Sequence, residues 1–385
     1  MICLEKLVMR ILLLTCNTGG GHNSAAEAVC CEFVKRSIDC EIQDALSFVS
    51  KSYSEIISNG HTYVYRYLPR LFGAAYRFEE RHKPRFIYEQ VALGAKRFAE
   101  FLNSHPCDAI VSCHIFGSML VTAARKRYGL KTPHYAVMTD YALCPGIGMV
   151  DAKRVFIPAE ELRGEYICEH IDNDRIVTSG IPVRNAFSTG MDKATARTRL
   201  KLSPKDKVIL LFSGSIGCGK LHLVAPVLEQ ALPRDTTLVI ICGRNKKLYE
   251  RLRESCGALT RVVGHTLRVS EYMAAADLCI TKPGGLSTTE LLVSHLPMVL
   301  MLSVPGCETH NLEYFVSQGV AVGTDNWDEA IRLTLELIGD TERLDGMRRR
   351  LEHLGYPGGA TVVADTVLKD FSFTREQCND EIVFH

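Results

Sequence analysis

RILLLTCNTGGGHNSAAEAVCCEFVKR, residues 10–36, is the stretch from which the rest of the chain is read. An apolar run at 10–15 has the length of a buried strand, three glycines follow at 19–21, and 24–36 carries apolar residues at helical spacing. Strand, glycine turn and helix open an α/β sheet. Glycines let backbone amides approach a ligand with no side chain in the way, so Gly20 and Gly21 are candidate ligand contacts. His22 then stands at the mouth of a cleft. An imidazole titrating near neutrality suits removal of a proton from an attacking hydroxyl, although a lone histidine also often does no more than pack at a helix start.

The alternation continues outward from there. Apolar runs at 109–113, 135–139, 155–157 and 176–178 read as parallel strands of one doubly wound sheet. His114 and Asp140 close two of them, at the carboxyl ends where open α/β sheets bind ligands. Asp140 supports the base, contacts an acceptor or caps the next turn. After Pro182 the chain becomes polar, and Gly180-Ile-Pro-Val-Arg184 reads as a turn near a hinge, where Arg184 makes a phosphate or interdomain contact or, equally, a hinge salt bridge. A second series then begins at 208–212 and continues at 238–242, 262–263, 278–281 and 298–301. The expected fold class is α/β, with two Rossmann-like domains whose parallel sheets face one another across an interdomain cleft. The expected limits are 1–190 for the first domain, 191–205 for a linker, 206–373 for the second domain and 374–385 for a polar tail.

Composition narrows the function. With 45 Lys and Arg against 44 Asp and Glu, the chain lacks the basic excess of a general nucleic-acid binder. Its 15 cysteines include no Cys-x-x-Cys pair, which argues against a zinc ribbon or a disulfide framework. Nowhere do 18 apolar residues run together, so the expectation is a soluble protein whose membrane contact is peripheral. Asp172-Asn173-Asp174 resembles a sugar-nucleotide metal motif but precedes a strand instead of following one; no metal is assigned.

In the second half, Lys282-Pro-Gly-Gly-Leu-Ser-Thr-Thr-Glu290 places a glycine turn between a strand and a helix. Exposed amides and partial positive charge at a helix start bind phosphate, which makes Gly284, Gly285, Leu286, Ser287 and Thr288 candidate diphosphate contacts. Glu290 is placed to accept hydrogen bonds from a ribose diol, or to do no more than favour the helix dipole. Glu308 and Asn311, in the loop after the next strand, reach sugar hydroxyls or solvate a helix start. Residues 214–220 have the G-x-x-x-x-G-K shape of a P-loop, but Leu221 stands where the Mg²⁺-binding hydroxyl belongs. Gly214 is therefore read as lining the cleft near a diphosphate, with Gly243 and His265 at further strand ends flanking a nucleobase. Between residues 61 and 97, aromatic and basic residues concentrate, among them Tyr63, Arg66, Arg70, Leu71 and Phe72. That mixture suits an anionic membrane surface, the alternative being a solvated helical pair packed on the sheet.

Taken in order, 18–22, Thr139-Asp140, Gly180-Ile-Pro-Val-Arg184, Lys282-Pro-Gly-Gly285 and Glu290 resemble the processive diacylglycerol glycosyltransferases and monogalactosyldiacylglycerol synthases of glycosyltransferase family 28. The resemblance implies a GT-B fold and inverting transfer of glucose or galactose from a UDP-sugar to diacylglycerol, with no metal or other cofactor. It implies a cytoplasmic enzyme, peripheral on the inner face of the cell membrane and active in glycolipid biosynthesis. It also implies that Glu290 binds the uridine ribose, that 284–288 hold the diphosphate, that Glu308 and Asn311 contact the donor sugar, and that His22 is the base or close to it. The segment from Tyr63 to Tyr88 corresponds to the family's membrane-docking region. Two departures stand out: Cys307 where many relatives carry Gln, and Cys144-Pro-Gly-Ile147 where relatives often show a bulky aromatic after proline. Rival readings are N-acetylglucosamine transfer to a polyprenyl-linked cell-wall intermediate, a P-loop phosphohydrolase, and a UDP-sugar-sensing regulator without turnover.

Overall fold

The computed structural model describes residues 9–382 except 18–19, 83–84, 213, 215–220 and 303, and leaves out the side chains at 58–59, 61–62, 65–67, 69 and 373–382. Two six-stranded parallel sheets form the frame. The first has the order β2-β1-β3-β4-β5-β6, from β1 (Arg10–Thr15), β2 (Asp39–Asp44), β3 (Ala109–Ser112), β4 (His134–Val137), β5 (Arg154–Ile157) and β6 (Ile176–Thr178). The second has the order β12-β11-β10-β7-β8-β9, from β7 (Lys207–Phe212), β8 (Thr236–Ile241), β9 (Thr260–Val263), β10 (Leu278–Thr281), β11 (Met298–Met301) and β12 (Ala321–Thr324). Both faces of the central strands are covered, which is why Ile11, Leu12, Leu13 and Leu14 are all buried in one unbroken apolar run.

Winding reverses between β1 and β3 in the first sheet and between β7 and β10 in the second. A crevice opens beyond the strand ends at such a reversal, because the connecting helices leave to opposite faces. Each sheet therefore offers one crevice, and residues after β1, β3, β7 and β10 line them.

Three expectations about boundaries change. The helix α1 (Gly20–Lys35) begins four residues earlier than 24, so His22 lies in its first turn. The expected linker contains a helix, Lys193–Leu200, capped by Asp192 accepting from the Thr195 amide, and its Lys193 and Arg197 both reach Asp277 at 2.8 Å. It belongs to the second domain. The C-terminal helix Ala360–Ile382 crosses back to the first domain, so the second domain ends before it and residues 374–382 continue a helix. Ala360, Val363, Ala364 and Val367 bury against Ile11, Leu13, Tyr135 and Phe156, while Asp370 accepts from Arg154 at 2.8 and 3.1 Å and from the Tyr135 hydroxyl at 3.3 Å.

The chain thus passes between domains twice, and the passages touch. The Tyr356 hydroxyl donates to the Ile181 carbonyl at 2.8 Å, and the Gly359 amide to Ser179 at 2.8 Å. Gly180 takes φ +76°, and a Cβ there would meet the Tyr356 ring at 2.6 Å. On the first domain, α2 (Lys51–Tyr67), α3 (Pro69–Arg81) and α4 (Arg85–Ala92) form a helical outwork, α3 opening with proline at its first position, where the missing N–H costs nothing.

Candidate active site

Three strand ends of the first domain meet around His22. Its Nδ1 shares a 2.9 Å hydrogen bond with the Thr139 hydroxyl after β4, and its ring stands edge-on to His114 after β3, 4.4 Å between centroids. Burial pushes the His22 imidazole down to about 4, opposed by a hydrogen bond to the Cys113 backbone. His114 in turn accepts from the Phe116 amide through Nδ1 at 3.1 Å and so caps the following helix. Gly21 faces the second domain directly: a Cβ there would lie 3.7 Å from Leu286 Cβ.

Across the gap lies the start of the helix Gly285–Val293. A Cβ on Gly285 would fall 2.2 Å from the Thr139 carbonyl oxygen and 2.9 Å from Asp140 Oδ1, so only glycine permits this approach. Asp140 accepts from Asn311 Nδ2 at 2.8 Å and from the Gly285 amide. Burial raises its carboxyl to about 6, aided by nearby Glu308 and offset by the Asn311 bond, Lys282 and the Gly285 amide. Asn311 is fully buried and satisfied: Nδ2 also donates to the Pro283 carbonyl at 2.9 Å, and Oδ1 accepts from the Tyr141 amide at 2.6 Å. It ties the domains together in this structure. Beside it Tyr141 stacks on Tyr314, 4.6 Å apart, and shares a 3.0 Å hydrogen bond with Thr289.

Farther along the same helix, Thr288 is buried and fully engaged: its hydroxyl turns back to the Gly284 and Gly285 carbonyls and its amide donates to the Gly284 carbonyl at 3.0 Å, so the amides open to a ligand are those before it. Glu290 is buried with Arg184 of the first domain 3.7 Å away, and burial raises its carboxyl to about 7 against the lowering pull of that guanidinium. Lys282 and Glu308 pair at 2.5 Å, above Gly284 and above Gly214, where a Cβ would meet Lys282 Cε at 3.1 Å.

Two family models match. Residues 22–183 match monogalactosyldiacylglycerol (MGDG) synthase, and residues 208–335 match the glycosyltransferase family 28 C-terminal domain. The chain belongs to this glycosyltransferase family. The processive diacylglycerol beta-glucosyltransferase of Bacillus subtilis (strain 168) is 26% identical over 372 residues, covering 94% of this chain and 95% of that protein. Its counterpart in Bacillus licheniformis is 27% identical over 378 residues, covering 93% and 94%. Among solved structures, MurG of Acinetobacter baumannii superposes with a TM-score of 0.64 at 14% identity, covering 94% of this chain and 99% of that one. The glycotransferase of kitacinnamycin gives 0.62 at 16%, with the same coverage. These likenesses carry the fold, two Rossmann-like domains in the GT-B arrangement.

In this family 28 glycosyltransferase, the expected donor residues fall along one edge of the second sheet. Gly214, Gly243, His265, Gly284 and Glu308 follow β7, β8, β9, β10 and β11, neighbours in the order β9-β8-β7-β10-β11. Gly243 takes φ +58° in its turn, and His265 is exposed. Ser287 is half-buried in the first turn of its helix. Residues 215–220 of the glycine loop lie outside the described residues. In the helical outwork, Tyr63 and Leu71 are each 58% exposed and Arg70 is exposed, Phe72 is half-buried, and the Arg66 side chain lies outside the described residues. Among the described residues no helix is long and apolar enough to cross a membrane, and no group of three His, Cys, Asp or Glu is placed to hold a metal ion.

Arg184, expected as a phosphate or interdomain contact or a hinge salt bridge, does reach across the domains, to Glu290. The other interdomain partners were missed by sequence reasoning: Tyr141 and Tyr314 carry only an ordinary core signal, and nothing local couples Asn311 to Asp140.

Proposed function

We propose that this glycosyltransferase moves glucose, or galactose, from a UDP-sugar to the free hydroxyl of diacylglycerol with inversion, and repeats the transfer on its product. The observation that carries this reading is the contact of Gly285 with Asp140. It sets the positive end of a helix, suited to a diphosphate, against a carboxyl suited to taking a proton, across a gap between two domains. Relatives named as processive diacylglycerol beta-glucosyltransferases over nine-tenths of the chain supply the substrate class and favour glucose.

In the reaction the acceptor oxygen forms a bond to the anomeric carbon while the bond from that carbon to the diphosphate breaks, its electron pair leaving with UDP. The proton of the acceptor passes to Asp140. A carboxyl raised to about 6 is a better-matched base near neutrality than an imidazole lowered to about 4, so His22 serves by holding Thr139, and with it the strand end that carries Asp140. Helix amides from 285–287 stabilise the departing diphosphate together with Lys282, and Glu290 takes the ribose diol. Those amides include the one on Gly285 that now meets Asp140, so donor binding frees the carboxylate toward the acceptor and raises its basicity. The chain's own cations and amides carry the leaving-group charge, and the transfer runs without a metal.

Leu68, Leu71, Phe78 and Phe86 are exposed on α3 and around it, beside exposed Arg70, Arg81 and Arg85. That face docks on the anionic inner surface of the cell membrane, each basic residue contributing on the order of 1 kcal/mol. Purified protein incubated with labelled UDP-glucose or UDP-galactose and diacylglycerol vesicles is expected to give a glycolipid. A folded sample that binds UDP and yields no glycolipid from either donor overturns the assignment.

A further inference from the structure

The helix α3 has two faces of opposite use. Its outer side carries Leu71 and Phe78 toward solvent, while Gly73, Tyr76 and Glu80, spaced by three and four residues, share its inner side. That inner side lies on the loop that follows β11 in the other domain. A Cβ on Gly73 would come 2.7 Å from Pro305 Cβ, so the helix backbone rests on the proline. Glu80 Oε1 lies 2.7 Å from His310 Nε2. Between them the Tyr76 ring lies on Gly306, where a Cβ would be 3.1 Å from Tyr76 Cγ and 3.3 Å from Cδ1. Gly306 itself takes φ +125°, a conformation open to glycine.

The Tyr76 phenol therefore reaches the corner formed by Cys307, Cys144 and Asp140, which are among the groups that act on it electrostatically. Each polar neighbour is otherwise engaged or weak. Asp140 is held by Asn311, Glu80 by His310, and Glu308 by Lys282. The thiols of Cys144 and Cys307 are both raised by burial and remain protonated, and a thiol is a poor donor. Burial also pushes the Tyr76 phenol well above its ordinary range, so it keeps its proton, and it makes no hydrogen bond with any described residue.

We propose that Tyr76 is a sugar-contacting, specificity-determining residue: its hydroxyl donates a hydrogen bond to a hydroxyl of the hexose held beside Gly306 and Glu308. The inference rests on the donor-site reading above. A donor fixed by a rigid ring discriminates hexose epimers, because an epimer with the hydroxyl turned away leaves that donor unmatched. The residue comes from the domain opposite the diphosphate, so the hexose pocket is complete only when α3 lies on the loop at 304–306.

The test is Y76F in the full chain, which removes one oxygen and keeps the ring on Gly306. UDP affinity is read by calorimetry, and kcat/KM is measured for UDP-glucose and UDP-galactose with diacylglycerol vesicles. The expected result is UDP affinity within twofold of the parent, with kcat/KM for the preferred hexose lowered about tenfold and the discrimination between the two donors reduced, the size of one lost hydrogen bond. Unchanged kcat/KM and unchanged discrimination in Y76F would overturn the inference while leaving the donor site intact. A parent protein that fails to bind UDP would remove the donor site and this inference with it.

Discussion

The two walls of the cleft are made differently. On the second domain the strand ends carry Gly214, Gly243, Gly284, Gly285 and Gly306, and recognition falls to backbone amides and a helix terminus. On the first domain the corresponding ends carry the side chains of His22, His114, Thr139 and Asp140, and burial sets the protonation of His22 and Asp140. A wall of amides holds an anion by geometry that does not titrate. A wall of buried imidazole and carboxyl moves protons, and its activity follows pH. The division of labour between binding and chemistry is therefore largely a division between backbone and side chain, domain by domain, with Glu290 as a titrating group set into the binding side.

The largest expected effect tests the chemical wall. D140N should lower kcat by about 10²–10⁴-fold while UDP affinity stays within twofold. A parallel loss of UDP affinity would merge the two walls into one. In the parent, kcat should already be falling as pH drops toward about 6, since the carboxylate form is the base and the bound donor leaves it more basic than in the free protein. The same group has the opposite effect on stability. Its folded pKa lies above the ordinary carboxyl value of 3.8, so the fold favours the protonated form, and stability is lost as pH rises from about 4 through about 6. Unfolding midpoints in urea across that window should slope in the parent and lose that contribution in D140N. Next in size, E290Q should weaken UDP binding about tenfold at pH 8, the scale of a hydrogen bond to a charged acceptor. Parent affinity should decline as pH falls through about 7 and the mutant's should not; a flat parent profile would place the ribose elsewhere. Smaller still, L71S/F78S should reduce flotation with anionic liposomes severalfold, and undiminished flotation would shift membrane contact off α3. The smallest expected effect is none: chelation with EDTA should leave kcat unchanged, and a loss reversed by added Mg²⁺ would give the leaving group a metal.

Buried central strands were legible because both faces are apolar: 11–14 and 208–212 could be nothing else at that length. Two of the four edge strands, β2 and β12, were not. Asp39–Asp44 reads DCEIQD with no fully buried residue, and Ala321–Thr324 contains a glycine and a threonine, so neither shows the run that marks the interior. The start of α1 was placed late because Gly20 and Gly21 read as a turn, whereas here they open a helix. Candidate site residues at strand ends were legible from turn chemistry alone. Their partners were not, since Asp140 and Asn311 are 171 residues apart and Glu80 and His310 are 230 apart, separations over which periodicity says nothing. Tyr76 illustrates the limit: in sequence it is one more aromatic in a basic, aromatic segment, and only the packing of α3 turns it away from the lipid side.

The return of the last helix has a practical consequence. Because Val363, Ala364 and Val367 complete the hydrophobic layer over β1, β3, β4 and β5, a fragment cut at residue 190 would expose Ile11, Leu13 and Phe156 to water and should aggregate. Separating the two lobes for study calls for grafting residues 360–382 onto the amino-terminal piece, or for a circular permutation that makes that helix its neighbour in sequence.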